Sequence, residues 1–222
     1  MATVLVIGAS RGIGLAFVQQ YLAAHDRVIA TARDEAGLER LRGLGAEALL
    51  LDVTDPASVS GLAWMLDGVA VDVALYVAGV YDSGDAQTPP TREAFDRVMH
   101  TNVLGAMQAM PQVLPAVAAA GGVFAVLTSG LSLIGEVTSS SAWLYRVSKA
   151  ALNMALVGAR HSYPGATCVA LDPGWVRTDM GGPSAPLTAE RSVADLRRTL
   201  ASVTADDNGH FLHRDGRRAA SW

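Results

Sequence analysis

Two residues of this chain, Tyr145 and Lys149, are of types that could together move a proton. They lie four positions apart, so a helix would place both side chains on one face, one turn apart. A phenol is a weak acid with an ordinary pKa of about 10, and a nearby ammonium favours the phenolate and lowers that pKa. The pair therefore predicts that Tyr145 donates a proton to a reacting oxygen. The same spacing also arises by chance, as a half-buried tyrosine beside a solvated lysine, so the pair needs support from the rest of the chain.

A glycine-rich turn near the N-terminus could bind phosphate. The apolar run from Val4 to Ile7 predicts a buried strand. It leads into Gly8-Ala9-Ser10-Arg11-Gly12-Ile13-Gly14 and then into a helical pattern of apolar residues. Glycines let the backbone approach a pyrophosphate, and a helix N-terminus adds free N–H groups and a partial positive charge. This order predicts a dinucleotide site, and the spacing G-x-x-x-G-x-G indicates a different branch of the Rossmann group from G-x-G-x-x-G.

Two arginines predict which dinucleotide binds. Val28 to Ala32 predicts the second strand, and Arg33 follows it where NAD-preferring folds tend to carry an acid that bonds the ribose. Arg33 and Arg11 suit a 2′-phosphate, because a guanidinium binds phosphate through two hydrogen bonds. We therefore expect NADP(H) to be preferred over NAD(H). Asp34 follows directly and could compete for the ribose, and both arginines could instead be solvated surface residues.

Strand and helix patterns alternate along the whole chain. Strands are predicted at 4–7, 28–32, 48–51, 71–77, 122–127, 167–171 and 209–212. Helices are predicted at 13–24, 35–44, 56–66, 91–101, 103–120, 139–162 and 190–202. Asn102 interrupts the helical pattern, and Pro111 and Pro115 predict a kink or break. The alternation predicts one α/β domain over residues 1–222, a doubly wound parallel sheet (Rossmann fold) of about seven strands with helices on both faces.

Composition excludes several other classes of protein. The 222 residues are 50% hydrophobic and 17% charged, which is typical of a folded domain. The net charge is −4, and no cluster of Lys or Arg suggests nucleic-acid or membrane binding. Cys168 is the one cysteine, which excludes an intrachain disulfide and a multi-cysteine metal site, and we expect no metal. The run Thr3 to Ile7 is too short for a signal peptide, and no uninterrupted apolar run is long enough to cross a membrane, so we expect a cytoplasmic protein.

The predicted strand ends bring candidate functional residues to one edge of the sheet. Ligands of open α/β sheets bind beyond the carboxyl ends of the strands. Ser129 directly follows the fifth strand, so its hydroxyl could meet Tyr145 and Lys149 around one oxygen. These groups would polarise a carbonyl and protonate it, while a nicotinamide supplies the hydride. The residues at the six strand ends are Gly8, Arg33, Asp52, Ala78, Ser129 and Pro173.

A set of short motifs points to one family. Besides the glycine turn and the Tyr145 and Lys149 pair, the motifs are Leu51-Asp52-Val53, Asn102-Val103-Leu104-Gly105, Thr128-Ser129 and Asp172-Pro173-Gly174-Trp175-Val176-Arg177-Thr178. With these motifs in this order, the chain resembles the short-chain dehydrogenase/reductase (SDR) family over nearly its whole length. The segments around Tyr145 and from Trp175 to Gly182, together with the C-terminal Asp215-Gly216 and Trp222, are similar to the carbonyl reductases of the C-factor-like branch.

The resemblance implies roles for these residues. Tyr145 would be the general acid, Lys149 would bind the nicotinamide ribose and lower the tyrosine pKa, and Ser129 would orient the carbonyl. Asn102 would hold a water in a proton relay from Lys149, unless it only stabilises a break in the helix. Asp52 would meet the adenine amine, unless it only caps a turn. The residues implied to bind the cofactor are Gly8, Ser10, Arg11, Gly12, Ile13, Gly14, Arg33, Asp52, Val53, Ala78, Gly79, Tyr145, Lys149, Pro173, Gly174, Val176 and Thr178.

Three positions depart from the usual pattern of the family. Tyr76-Val77 stand where the family usually has paired asparagines that brace the central strands, so the geometry near the cofactor is expected to differ. Ile7 replaces the usual threonine. The family's serine commonly precedes the tyrosine by thirteen residues, which selects Ser132, whereas Ser129 precedes it by sixteen, as in C-factor-like members. We favour Ser129 because a strand end positions a side chain more rigidly than a loop does, and Ser132 stays the alternative.

The sequence leaves two hypotheses for function. The first is an NADPH-dependent oxidoreductase that reduces a ketone, aldehyde or quinone to an alcohol, with Tyr145 as proton donor. The second is a non-catalytic NADP(H)-binding regulator or signalling protein. Trp143, Trp175 and Met180, near a loop predicted at 180–188, predict a small hydrophobic carbonyl substrate.

Two helices predict self-association. The segments that begin at Val103 and Ser139 are richer in Ala, Met and Val than one buried face requires. In the family that the chain resembles, these helices commonly form a dimer bundle. We therefore expect a homo-oligomer, a dimer or tetramer.

Overall fold

Seven of the nine strands form one parallel sheet in the structure, a computed structural model that describes residues 1–222. In chain order the strands are β1 (Thr3–Ile7), β2 (Arg27–Ala32), β3 (Glu47–Leu50), β4 (Val73–Tyr76), β5 (Val123–Leu127), β6 (Thr167–Asp172), β7 (Val176–Arg177), β8 (Leu187–Thr188) and β9 (Phe211–His213). The order in the sheet is β3-β2-β1-β4-β5-β6-β9, and every neighbouring pair is parallel. The predicted parallel sheet of seven strands is confirmed.

Eight α-helices cover the two faces of this sheet. In chain order they are α1 (Gly12–Ala23), α2 (Glu35–Leu44), α3 (Pro56–Ser60), α4 (Leu62–Met65), α5 (Arg92–Met99), α6 (Gly105–Ala120), α7 (Trp143–Ala159) and α8 (Ala189–Ser202). Helices α1, α2 and α8 share one buried core with Val4 and Val6, whereas α3, α4, α6 and α7 share another with Leu5 and Ile7. Because successive side chains of a strand point to opposite faces, β1 contributes to both cores. The sheet is therefore doubly wound, as predicted.

The direction of winding reverses beside β1. Strands β2 and β3 extend the sheet to one side of β1, and β4, β5, β6 and β9 extend it to the other side. Loops that follow the two strands at such a switch point diverge, which opens a crevice at the carboxyl edge of the sheet.

One long helix differs from its prediction. The segments predicted at 91–101 and 103–120 are joined by a π-helical turn, His100–Leu104, so that Arg92–Ala120 is one continuous helix of 29 residues. By length and composition alone it could cross a membrane, but the core helix of a soluble protein has the same features, and polar residues interrupt its apolar sequence. Its inner face is buried in the core. The predicted break at Pro111 and Pro115 does not occur, because both prolines lie on the exposed side, where a carbonyl without its N–H partner can meet solvent.

Three other boundaries differ from the sequence patterns. The helix predicted at 56–66 is divided into α3 and α4 at Gly61. Helix α7 begins only at Trp143, because Ala142 adopts a left-handed conformation with φ +54°, and the residues before it form two 3₁₀ turns. The loop predicted at 180–188 ends in β8, which pairs with β7. Two-residue strands carry too short a pattern to be predicted.

Candidate active site

A cavity of about 1460 Å³ opens at the carboxyl edge of the sheet. Its walls include the residues that directly follow β1 to β6, as expected for an open α/β sheet. Every residue predicted to bind the cofactor lines this cavity, and so does Ser129, whereas Asn102 and Ser132 lie behind its wall. We call the part around Ser129, Tyr145 and Lys149 the α7 end, and the part around Arg11, Arg33 and Arg40 the arginine end.

Tyr145 and Lys149 lie side by side on α7, as the spacing predicted. Their exposed fractions are 7% and 4%, and the Lys149 Nζ lies 5.7 Å from the centroid of the tyrosine ring. Lys149 donates a hydrogen bond of 2.7 Å from Nζ to the Leu127 carbonyl at the end of β5. Burial lowers the pKa of Lys149 to about 8, because an ammonium loses its hydration inside the protein.

The acidity of Tyr145 differs from the prediction. Burial raises the pKa of Tyr145 above its ordinary value, the nearby Ser129 hydroxyl opposes that rise, and Asp172 and Tyr81 add to it. The prediction that this pKa is lowered overall is wrong in this structure, because burial outweighs the groups that favour the phenolate. The phenol is therefore protonated at neutral pH, which is the state that a proton donor needs.

The two candidate serines occupy different environments. Ser129 lies on the cavity wall, where its Oγ accepts a hydrogen bond from the Leu131 N–H at 3.1 Å and its hydroxyl is close enough to Tyr145 to influence the phenol. Ser132 is buried, donates to the Ser129 carbonyl at 2.6 Å and accepts from Asn153 Nδ2 at 2.8 Å. Ser132 thus braces the backbone of Ser129, and only Ser129 faces the cavity.

Asn102 is fully buried within the π-helical turn. Its Oδ1 accepts from the Val80 N–H at 2.8 Å, and its Nδ2 donates to the Val80 carbonyl and to Ser148 Oγ, both at 2.9 Å. The side chain is therefore engaged with the segment after β4. A Cβ added to Gly79 would lie 3.3 Å from Asn102 Oδ1 and 3.4 Å from Lys149 Nζ. Gly79, Asn102 and Lys149 thus converge at one point of the α7 end.

The glycine turn has the shape that a phosphate group requires. Gly8 has φ +87°, and a Cβ on it would lie 2.7 Å from the Ala78 backbone nitrogen across the switch point. A Cβ on Gly14 would collide with the Gly8 carbonyl. Gly12, with φ +56°, opens α1 and faces the Thr178 methyl group. Because these glycines leave the backbone and the helix N-terminus uncovered, the residues fit the pyrophosphate of a dinucleotide.

The arginine end is built from exposed charges around α2. Asp34 caps α2 by accepting from the Gly37 N–H at 2.8 Å, so this interaction engages the carboxylate that could have competed for a ribose. Hydrogen bonds from Thr54 lower the pKa of Asp52, and the charge of Arg33 adds to this effect. Arg40, on α2, donates to the Ser10 carbonyl at 2.6 Å.

Arg11 links the glycine turn to the segment that follows β7. Its Nη1 lies 3.0 Å from Asp179 Oδ2, and both side chains are more than two-thirds exposed. The pair therefore lies at the mouth of the cavity in water, where such an ion pair contributes little to stability.

Among the cavity residues that sequence reasoning missed, three make contacts that shape the site. Asp172 accepts from the Gly130 and Gly174 N–H groups, each at 3.1 Å, and so joins the loops that follow β5 and β6. Tyr81 packs edge-on against Tyr145 with ring centroids 5.0 Å apart, and Arg40 joins Arg11 and Arg33 at the arginine end. The motif that begins at Asp172 gave a signal for the first, whereas Tyr81 lies in a polar loop and Arg40 on an ordinary helix face.

The fold and the cavity fit an oxidoreductase that uses a dinucleotide, and the comparisons with known proteins agree with this class. A family model described as short chain dehydrogenase matches residues 2–187. The chain is 31% identical over 224 residues to 1-hydroxy-2-glutathionyl-2-methyl-3-butene dehydrogenase of Rhodococcus sp. (strain AD45), with 97% of this chain and 98% of the relative covered.

Two solved structures are similar over the whole chain. The carbonyl reductase Sniffer of D. melanogaster has a TM-score of 0.91 at 27% identity, with 100% of both chains covered. A short-chain dehydrogenase/reductase of Burkholderia multivorans with bound NADP has a TM-score of 0.87 at 29% identity, with 100% of this chain and 99% of that chain covered. The present chain therefore belongs to the short-chain dehydrogenase/reductase family.

Proposed function

We propose that this protein is an NADPH-dependent reductase that converts a hydrophobic ketone, aldehyde or quinone to an alcohol. The observation that carries this proposal is the α7 end. There a serine hydroxyl, a protonated phenol and a buried amine meet on the wall of a cavity whose other wall is the glycine turn. A regulator that only senses the level of NADP(H) would not need these three side-chain groups.

The chain's residues have separate tasks in this reaction. A bound nicotinamide supplies the hydride that adds to the carbonyl carbon. Ser129 donates a hydrogen bond to the carbonyl oxygen and so polarises it. The Tyr145 hydroxyl then gives its proton to the oxygen as negative charge develops there, because an alcohol is a weaker acid than a phenol. Lys149, which remains largely cationic at neutral pH, stabilises the phenolate that is left and binds the ribose.

Two features of the arginine end and one similar structure support a preference for NADPH over NADH. Arg33 and Arg40 line the cavity beside α2, where the second strand ends and a 2′-phosphate would lie. One carboxylate oxygen of Asp34 is engaged as the helix cap. The similar Burkholderia structure contains NADP.

The mouth of the cavity supports a hydrophobic substrate. Tyr81, Trp175 and Met180 line it, and each is more than a third exposed. Exposed aromatic side chains beside the proton donor suit an apolar carbonyl compound. Trp143, which the sequence also suggested, lies outside the cavity wall.

We also propose that the protein is a homo-oligomer that buries the outer face of α5, α6 and α7. Apolar side chains on this face are exposed in the single chain. They are Phe95, Leu104, Met107, Val147 and Met154. Such a patch is typical of an interface, and light scattering that gives the mass of one chain would contradict the proposal. The cytoplasmic location stays a prediction.

The test of function is a carbonyl panel. Purified protein is mixed with NADPH or NADH and with aromatic ketones, aldehydes, quinones and charged sugars, and the loss of nicotinamide absorbance is followed. We expect turnover with apolar carbonyls and NADPH. Tight NADPH binding without turnover of any compound would favour the regulator, and equal binding of NADH would contradict the cofactor preference.

A further inference from the structure

Tyr76, the last residue of β4, makes an unusual contact for a core residue. The side chain is completely buried, and its hydroxyl donates a hydrogen bond of 2.9 Å to the Thr101 carbonyl. Thr101 lies in the π-helical turn His100–Leu104. A π-helical turn carries one residue more than an α-helical turn and often occurs at functional sites. The Tyr76 hydroxyl therefore ties the end of a central strand to the one irregular turn of the long helix.

A second set of bonds joins the same two segments four residues later. Asn102 is bonded to both backbone groups of Val80. Segments 76–80 and 101–102 are thus held together by three hydrogen bonds. One joins Tyr76 to Thr101, and two join Val80 to Asn102. Gly79 lies within this span, where an added Cβ would meet Asn102 Oδ1 and Lys149 Nζ.

Gly105 leaves room for the Tyr76 hydroxyl. A Cβ added to Gly105, the first residue of α6, would lie 2.8 Å from the Tyr76 hydroxyl oxygen and 2.6 Å from the Val53 carbonyl. A side chain at position 105 would therefore push the hydroxyl away from Thr101. The absence of a Cβ there leaves room for a tyrosine in place of a smaller residue.

We propose that Tyr76 is a positioning residue for the α7 end: its bond to Thr101 fixes the π-helical turn and so holds Gly79 and Asn102 against Lys149. The predicted loss of turnover rests on the proposed function. The predicted loss of NADPH affinity can be measured without it. Without the hydroxyl, the Thr101 carbonyl loses this partly buried hydrogen bond, and the loss favours rearrangement of the turn.

The test is Tyr76→Phe, with Tyr21→Phe as the matched control. Tyr21 is also a buried tyrosine, but it packs under the Arg197 guanidinium outside the cavity. NADPH dissociation constants are measured by fluorescence titration, and KM and kcat are measured for NADPH and for one reduced carbonyl. We expect Tyr76→Phe to raise the dissociation constant and KM for NADPH about tenfold and to lower kcat, while KM for the carbonyl changes by less than about twofold. Tyr21→Phe should change none of these.

Two outcomes would overturn the proposal. One is a loss of thermal stability in Tyr76→Phe with unchanged NADPH binding and unchanged kcat. The other is an equal loss of NADPH binding in both variants. If the wild type binds NADPH but reduces no carbonyl, the proposed function fails, whereas the binding comparison still decides the role of Tyr76.

Hydrogen exchange on the wild-type protein covers the case in which Tyr76→Phe does not fold. Saturation with NADPH should slow exchange of the Val80 amide and of the amides at 100–104 together. Slower exchange in the glycine turn with no change at 100–104 would contradict the inference.

Discussion

The α7 end and the arginine end of the cavity are built in opposite ways. At the α7 end, Lys149 and Asn102 are buried and bonded to backbone groups of neighbouring segments. At the arginine end, Arg11 and Arg33 are exposed, and the ion pair of Arg11 lies in water. Groups of the first kind are positioned by the core, whereas groups of the second kind are positioned by long, solvated side chains.

We therefore expect the α7 end to determine turnover and the arginine end to determine which cofactor is preferred. A buried amine costs free energy unless its surroundings compensate, so substitutions at the α7 end should change both stability and turnover. An exposed guanidinium contributes little to folding, so substitutions at the arginine end should change cofactor choice alone.

Lys149→Met should have the largest combined effect on turnover and stability. We expect turnover to fall by about 100-fold or more, because the phenolate loses its neighbouring charge. Stability should change with pH as well. The pKa of Lys149 is about 8 in the folded protein and 10.5 ordinarily, so between these values the unfolded chain binds more protons and the stability of the wild type rises with pH.

The same variant supplies the control for that pH dependence. At about 1.4 kcal/mol per pH unit, the wild type should gain about 3 kcal/mol relative to Lys149→Met between about pH 8 and pH 10. Urea unfolding at several pH values measures this gain. Parallel pH curves for the two proteins would show that the amine is not buried as described, and the contrast between the two ends would be lost.

Ser129→Ala and Ser132→Ala should differ in kind. We expect Ser129→Ala to reduce kcat by about 100-fold with little loss of stability, because a donor to the reacting oxygen is removed. Ser132→Ala should lower the free energy of unfolding by about 1–3 kcal/mol, because Asn153 and the Ser129 carbonyl lose a buried partner. Steady-state kinetics and urea unfolding of both variants decide the assignment, and a larger loss of kcat in Ser132→Ala would reverse it.

Arg33→Ala should act on cofactor choice alone. We expect the dissociation constant for NADPH to rise by about tenfold, that for NADH to stay the same, and the melting temperature to stay unchanged. The control is Arg42→Ala, an exposed arginine of α2 that pairs with Glu35 outside the cavity. If Arg33→Ala weakens the binding of NADH and NADPH equally, the arginine end does not bind the 2′-phosphate.

Asp34→Ala should have the smallest effect on the site. Loss of the helix cap should cost about 1 kcal/mol of stability. The ratio of NADPH to NADH affinity should not change, because the carboxylate is engaged with the Gly37 N–H. A shift of that ratio in cofactor titrations would show that Asp34 acts on the ribose after all.

The same contrast explains what the sequence could predict. Local patterns suffice for the glycine turn and for the alternation of strands and helices, because each depends on neighbouring residues. The π-helical turn could not be predicted, because it depends on contacts of Asn102 and Tyr76 with residues distant in sequence. The direction of the Tyr145 pKa shift was also missed, since burial is a property of the packed molecule.

The most direct test of the proton-donor role is reduction by Tyr145→Phe with NADPH deuterated at the transferred position. The wild type and the variant are each loaded with this cofactor and mixed with one reduced carbonyl, and deuterium in the alcohol is measured by mass spectrometry. We predict that the variant binds NADPH within about twofold of the wild type and transfers deuterium about 100-fold to 10,000-fold more slowly. Transfer at the wild-type rate would contradict the assignment of Tyr145 as the group that protonates the substrate.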